Sequence, residues 1–314
     1  MNSYVDTVFN EDALAGLARI PDASIDLILT DPPYGLGKDY GNDSDKQASA
    51  DYLAWTERWI DAALPKLKAT GSLYIFLTWR YSPEIFVMLK QRMTMLNEII
   101  WDRRVPSMGG SVRSFTSVHD TIGFFAKAKG HYFDLDAVRI PYDAATKKAR
   151  SRSIFVGAKW LELGYNPKDL WSVSRLHKEN PERAGHPTQK PLEIIERMVR
   201  ASCPPGGVIL DPFMGSGTTA IAAKRCGRHF VGFELNPDYC QIIETRLASP
   251  EAELLVQSNS PTEPVRAKIL KISKAKKIKK VQKSVKKTAS ADVAGVADVA
   301  EALATRVARS RRAQ

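Results

Sequence analysis

The stretch VILDPFMGSGTTAIAAKRCGRHFVGFELNPDYC, residues 208 to 240, constrains the fold more than any other part of the chain. It reads as a strand, a glycine-rich turn, a helix and a second strand ending at Glu234. Gly215 and Gly217 let the backbone approach a ligand closely, and the helix that follows presents free N–H groups at its start. A carboxylate at the end of the second strand is placed to accept from ribose hydroxyls, so the unit describes a nucleoside-cofactor site. Such a unit requires a sheet with helices packed on it, which is an α/β fold.

The rest of the chain agrees. Apolar runs at Ile25 to Leu29, Ser72 to Leu77, Leu96 to Trp101, Val208 to Leu210 and His229 to Phe233 are the strand candidates. Amphipathic segments at Asp51 to Lys68, Pro83 to Met93, Leu192 to Ser202, Thr218 to Cys226 and Pro237 to Leu247 are the helix candidates, and the alternation predicts a parallel α/β sheet. From about Arg103 to Gly185 the alternation gives way to Gly, Ser, Arg, Lys and aromatic residues. That segment reads as an insertion on the scaffold. Beyond Ser249 the chain is rich in Lys, Ala, Val, Ser and Thr and has no aromatic residue, so it cannot bury enough apolar surface to order itself and is expected to be a disordered tail.

Charge separates these regions. The 314 residues carry +11, but residues 266 to 314 alone hold 15 Lys and Arg against three acids, which leaves the body at −1. Within the body, residues 101 to 160 hold 11 Lys and Arg against five Asp, a local excess suited to a polyanion. Arg103, Arg104, Arg113, Lys147, Lys148, Arg150 and Arg152 are the candidate residues of that face, beside the plain reading of a solvated surface. Cys203, Cys226 and Cys240 have neither the count nor the spacing of a disulfide framework or zinc site, and no metal is expected. No apolar run reaches the roughly 20 residues a membrane span needs, and the first residues lack signal-peptide order, so a cytoplasmic protein without membrane contact is expected.

Two readings of the glycine-rich turn compete. Gly215-Ser216-Gly217-Thr218-Thr219-Ala220 fits the dinucleotide fingerprint of a dehydrogenase. Asp211, however, would repel a pyrophosphate and suits the cationic groups of S-adenosylmethionine better. A dehydrogenase would also leave TDPPYG, residues 30 to 35, without a purpose after the Ile25 to Leu29 run. Taken alone, Asp-Pro-Pro-Tyr is an ordinary turn. With DPPY at 31 to 34, HPTQKP at 186 to 191, DPFMGSGTT at 211 to 219 and FELNPDY at 233 to 239, in that order, the chain resembles the β-class DNA amino-methyltransferases, most closely those that modify adenine at N6. The resemblance spans roughly residues 5 to 248.

The resemblance implies a Rossmann-like methyltransferase fold with permuted motif order, S-adenosyl-L-methionine as cofactor and double-stranded DNA as substrate. Residues 1–102 and 186–248 become the catalytic and cofactor-binding halves of one domain, 103–185 an inserted target-recognition region and 249–314 the basic tail. It implies that Asp31 and the Pro32 carbonyl accept the hydrogens of the target amine, that Pro32 and Pro33 fix that backbone, and that Tyr34 stacks on an extruded base. Asp211, Phe213, Gly215, Ser216, Gly217, Thr218, Thr219 and Glu234 become cofactor residues. Asp12, in an Asn-Glu-Asp sequence where relatives have Gly-Asp, would contact the cofactor adenine, and Lys190 would lie near its methionine end. A homodimer and a cognate restriction endonuclease are partners the resemblance allows. Cytosine-N4 methylation, whose enzymes more often carry Ser-Pro-Pro-Tyr, is the neighbouring alternative. A DNA-coating protein with a vestigial enzyme domain is the more distant one. Cytosine-C5 chemistry lacks its nucleophile, because Cys203 precedes its prolines.

Overall fold

The computed structural model describes residues 4–35, 49–104, 112–151 and 158–249. All lie in one compact unit, Met1–Asn259. The tail expectation and Arg152 fall outside the described residues.

Among the described residues, eight strands form one sheet: β1 (Thr7–Phe9), β2 (Ile25–Thr30), β3 (Leu67–Leu77), β4 (Thr94–Asp102), β5 (His119–Ala126), β6 (Leu170–Ser172), β7 (Val208–Asp211) and β8 (His229–Phe233), in the order β1-β8-β7-β2-β3-β5-β4-β6. β2 is buried along its whole length, as expected of a central strand covered on both faces. Side chains alternate between two cores, with Leu27 and Leu29 on one face and Ile28 on the other, and likewise Tyr74 and Phe76 against Leu73 and Ile75. Helices α1 (Ala13–Leu17), α2 (Ser49–Ala63) and α3 (Ser82–Lys90) cover one face. On the other lie α6 (Leu192–Ser202), α7 (Thr218–Arg225) and α8 (Pro237–Ala248). Two further short helices, α4 (Ala144–Arg150) and α5 (Ala158–Leu163), belong to the segment between β5 and β6.

Three sequence expectations change. The helix expected to run to Lys68 ends at Ala63, because Pro65 has no N–H to continue it; a single 3₁₀ turn, Leu64–Lys66, leads directly into β3. The sheet is mixed, since β5 runs antiparallel to both β3 and β4. A reversed strand needs only a loop from its neighbour, not a crossover helix, so β5 enters the sheet without the alternating signature of its surroundings. The segment 103–185 is therefore not wholly an insertion, because it supplies β5 to the middle of the sheet and β6 to its edge.

β2 leads through α2 to β3 on one side, and β7 leads through α7 to β8 on the other. β2 and β7 are adjacent and parallel, with Leu27 opposite Ile209 and Ile28 opposite Leu210. The chain thus reverses its winding between them, and the crevice outside the carboxyl ends of such a pair is where α/β sheets bind ligands. Among the described residues, no helix is long and apolar enough to cross a membrane.

Candidate active site

Asp31 leaves the end of β2 and Asp211 ends β7, so the sheet itself brings the two motifs together. They line one cleft with Asp12, Pro33, His186, Lys190, Phe213, Gly215, Ser216, Thr218, Thr219 and Glu234.

On the β2 side, the Tyr34 hydroxyl donates to Asp31 Oδ1 at 2.5 Å. The Lys190 ammonium donates to Asp31 Oδ2, and reaches the Tyr34 oxygen at 3.1 Å and the Thr188 carbonyl at 3.4 Å. It sits 5.4 Å from the centre of the Tyr34 ring and 5.1 Å from that of Phe76. Lys190 is thus bonded to the Asp-Pro-Pro-Tyr turn, and it lines the same cleft as Asp211 and Glu234, where the resemblance placed it near the cofactor's methionine end. Tyr52 donates to the Pro33 carbonyl at 2.9 Å and packs on Tyr81 with ring centres 4.7 Å apart, which fixes the Pro-Pro turn from α2.

On the β7 side, Asp211 is buried and accepts from Thr219 Oγ1 at 2.6 Å and from the Phe213 N–H at 3.1 Å. Burial pushes its carboxyl up to about 7; the two hydrogen bonds oppose that shift, and the nearby Asp31 charge adds to it. Glu234 accepts the N–H of Gly215 and that of Asn236, each at 2.8 Å, and burial raises its carboxyl above the usual range despite both bonds. Phe213 packs against Trp55 and Trp59, with ring centres 5.4 and 5.3 Å away, and gives the cleft an apolar wall. Asp12 is an exposed N-cap for α1, accepting from Leu14 N–H at 2.9 Å and Ala15 N–H at 3.2 Å, and it lines the cleft as well.

Gly215 and Gly217 both have positive φ, 53° and 78°. A Cβ on Gly215 would meet the His186 ring at 3.3 Å, at the cleft wall. One on Gly217 would meet Ile243 of α8 at 2.8 Å, so this glycine serves helix packing and is not part of the cleft lining. Arg246, which no motif indicated, donates from α8 to the Ser216 carbonyl at 2.6 Å and holds the same turn from behind. Gln189 was quoted only as part of HPTQKP. Its amide bonds the Ala184 N–H at 2.8 Å and the Glu182 carbonyl at 2.6 Å, which shapes the strap that carries His186 and Lys190.

The basic residues divide. Arg103 pairs with Asp120 at 3.4 Å and donates to the Ser117 carbonyl at 3.1 Å, and Arg104 donates to Ser172 Oγ at 2.9 Å and Ser172 O at 2.8 Å. Both guanidiniums tie strand ends together. Lys147 reaches Glu162 at 3.5 Å and Arg150 lies over the Tyr142 ring, while Arg113, Lys148 and Arg150 are exposed. Burial pushes the Cys203 thiol up to about 12 and Cys240 up to about 11, so neither is a thiolate nucleophile at neutral pH.

Residues 25–245, most of the chain, match the DNA methylase family N6_N4_Mtase. The chain belongs to that family. Among its relatives, the type II methyltransferase M1.MboII of Moraxella bovis is 38% identical over 237 residues, covering 71% of this chain and 89% of that protein. M.HpaI of Haemophilus parainfluenzae is 37% identical over 240 residues, covering 76% and 73%. Of solved structures, TTHA0409 of Thermus thermophilus, complexed with S-adenosyl-L-methionine, is 26% identical with a TM-score of 0.53, covering 78% of this chain and 93% of that one. The cytosine-N4-specific PvuII DNA methyltransferase shares the fold, with a TM-score of 0.58 at 22% identity over 78% of this chain and 86% of its own. This chain's fold is thus shared by an enzyme described as cytosine-N4-specific.

Proposed function

We propose that this N6/N4 DNA methylase transfers a methyl group from S-adenosyl-L-methionine to the exocyclic N6 of an adenine extruded from duplex DNA. The observation that carries the reading is the aspartate at the head of the Pro-Pro-Tyr turn. Its carboxylate lines the same cleft as Asp211 and Glu234, from the adjacent strand.

The cofactor suits the residues present. Asp211 is a buried carboxylate held by two neutral donors, and a ligand ammonium would supply the positive charge it lacks. Glu234 spends one bond per oxygen on backbone N–H groups, and a carboxylate has about four acceptor sites, so capacity remains for ribose hydroxyls. Phe213 supplies an apolar surface between them. When bound, S-adenosylmethionine supplies an electrophilic methyl group.

The residues on the β2 side act on the acceptor. An N6 amine is a poor nucleophile because its lone pair is delocalised into the ring. Asp31, and by resemblance the Pro32 carbonyl, accept its two hydrogens and favour a tetrahedral nitrogen whose lone pair faces the methyl donor. The Pro-Pro backbone holds these acceptors in place before the substrate arrives, so little ordering entropy is lost at the moment of reaction. By resemblance Tyr34 would stack on the extruded base; its hydroxyl donates to Asp31.

We propose further that target recognition lies in 103–118 and 127–169, the parts of the basic segment outside β5 and β6. β4 ends at Asp102 and β5 begins at His119 at the end of the sheet where β2 delivers Asp31, and Arg113 and Phe115 are exposed. The test is expression in a methylation-free host, followed by nucleoside mass spectrometry and modification-sensitive sequencing of the DNA. N6-methyladenine at one repeated site is the expected product, and N4-methylcytosine would move the enzyme to the other branch of its family.

A further inference from the structure

Asp31 can present its carboxylate to an amine only if something fixes its orientation. The torsion that turns an aspartate carboxylate is broad, with no sharp rotamer wells, so the side chain does not set its own plane. In this protein both oxygens are held by neighbouring donors that also meet each other: Oδ1 by the Tyr34 hydroxyl and Oδ2 by the Lys190 ammonium, with the ammonium 3.1 Å from the Tyr34 oxygen. The Lys190 side chain is only 7% exposed. Its three donors meet three oxygens, those of Asp31, Tyr34 and the Thr188 carbonyl, and two aromatic rings flank it. An ammonium with all donors engaged has none left for a cofactor carboxylate.

We infer that Lys190 is a positioning residue for Asp31: it holds the carboxylate in the plane from which the remaining lone pairs receive the target amine, and it is not a ligand of the cofactor. The inference rests on the amine-acceptor role of Asp31 proposed above. Each carboxylate oxygen has two acceptor sites, so Lys190 and Tyr34 can stay bonded while the amine is held. Lys190 also supplies a positive charge to a cleft that places Asp31 and the buried Asp211 at adjacent strand ends, where two unscreened carboxylates would oppose each other. The cation comes from the strap that opens α6, so the chain reaches across 159 residues to complete the turn after β2.

The test uses the full chain with Lys190→Met, Lys190→Gln, Asp31→Asn and the double variant Asp31→Asn/Lys190→Met. Calorimetry measures S-adenosylmethionine affinity, and single-turnover methyl transfer is followed at saturating cofactor and DNA. The Lys190 variants should bind cofactor within about twofold of the wild type, which also reports that the site is folded. Transfer should fall by about 10- to 100-fold, the range for a residue that orients a reacting group through one contact. In the double variant the Lys190 change should add almost nothing to the Asp31→Asn loss, because the two residues act as one unit. Weakened cofactor binding with transfer restored at saturation would overturn the inference and make Lys190 a cofactor ligand. A further tenfold loss in the double variant would also overturn it, since Lys190 would then act independently of Asp31. Near wild-type transfer by Asp31→Asn alone would overturn the underlying amine-acceptor reading, an outcome distinct from the other two.

Discussion

Glu234, at the end of β8, accepts the backbone N–H of Gly215 at 2.8 Å and so ties the second strand end to the glycine-rich turn that follows the first. The same carboxylate is the acceptor proposed for the cofactor ribose. Glu234→Ala should therefore weaken S-adenosylmethionine binding by about 10- to 100-fold, corresponding to one or two hydrogen bonds to a charged group. Calorimetric titration measures this directly, and unchanged affinity would remove Glu234 from the site.

Asp211 sets a pH dependence with two opposite faces. Its carboxyl is raised to about 7 by burial, above the ordinary aspartate value near 4. The folded protein without cofactor therefore binds more protons than the unfolded chain between roughly pH 4 and 7, and this contribution to stability is lost as pH rises through about 7. The cofactor ammonium needs the ionised carboxylate, so affinity should instead fall as pH drops below about 7, by up to tenfold per unit. Asp211→Asn should raise the melting temperature of the cofactor-free protein above pH 7 and abolish the pH dependence of binding along with most of the affinity. Thermal melts and titrations from pH 5.5 to 8.5 check both. A pH-independent cofactor affinity would contradict the assignment.

Gly217 predicts a fold defect where its motif alone suggests a blocked cofactor. With φ at 78° and Ile243 2.8 Å from a built Cβ, any larger residue is strained in its own backbone and collides with α8. Gly217→Ala should cost about 1–2 kcal/mol from the left-handed conformation alone, or roughly 2–8 °C in melting temperature for a domain of this size. Trimming the neighbour in Gly217→Ala/Ile243→Ala should relieve the steric part. This is measured as a double-mutant cycle, in which strict additivity would mean the two residues do not meet.

What the sequence disclosed follows from how local each signal is. β2, β7 and β8 announce themselves as apolar runs ending in Asp31, Asp211 and Glu234, the resemblance implies roles for all three in one site, and the three line one cleft. β5 was missed although His119–Ala126 is buried almost throughout, because its flanks are polar and its partners are far away in sequence. The same limit hid the roles of individual side chains. Nothing near HPTQKP indicates that Lys190 would reach Asp31, or that Arg246 would hold the Ser216 carbonyl, since both bonds depend on helices packing on one face of the sheet. Composition makes Arg103 and Arg104 part of a basic face for a polyanion, and the resemblance makes that polyanion DNA; their partners Asp120 and Ser172 become neighbours only when β4, β5 and β6 pair.

Target specificity gives a prediction with defined boundaries. Exchanging 103–118 and 127–169 with a relative of different target, while keeping β5 and β6, should move the methylated site in an active chimera. An exchange of the whole 103–185 segment replaces β5, which pairs with both β3 and β4, and should fold less well. Modification-sensitive sequencing reads the site and thermal melting reads the fold. Retention of the original site by an active chimera of the first kind would count against these segments as the readers.

The central claim is that Asp31 acts on the amine and not on the cofactor, and Asp31→Ala tests it most directly. The measurement pairs calorimetric S-adenosylmethionine affinity with the single-turnover rate of methyl transfer on target duplex at saturating cofactor. A group whose interaction is made chiefly in the transition state should leave binding within about twofold and lower the rate by roughly 10²-fold or more. A variant that methylates at near the wild-type rate, or that loses cofactor affinity in proportion to its activity, would contradict the account.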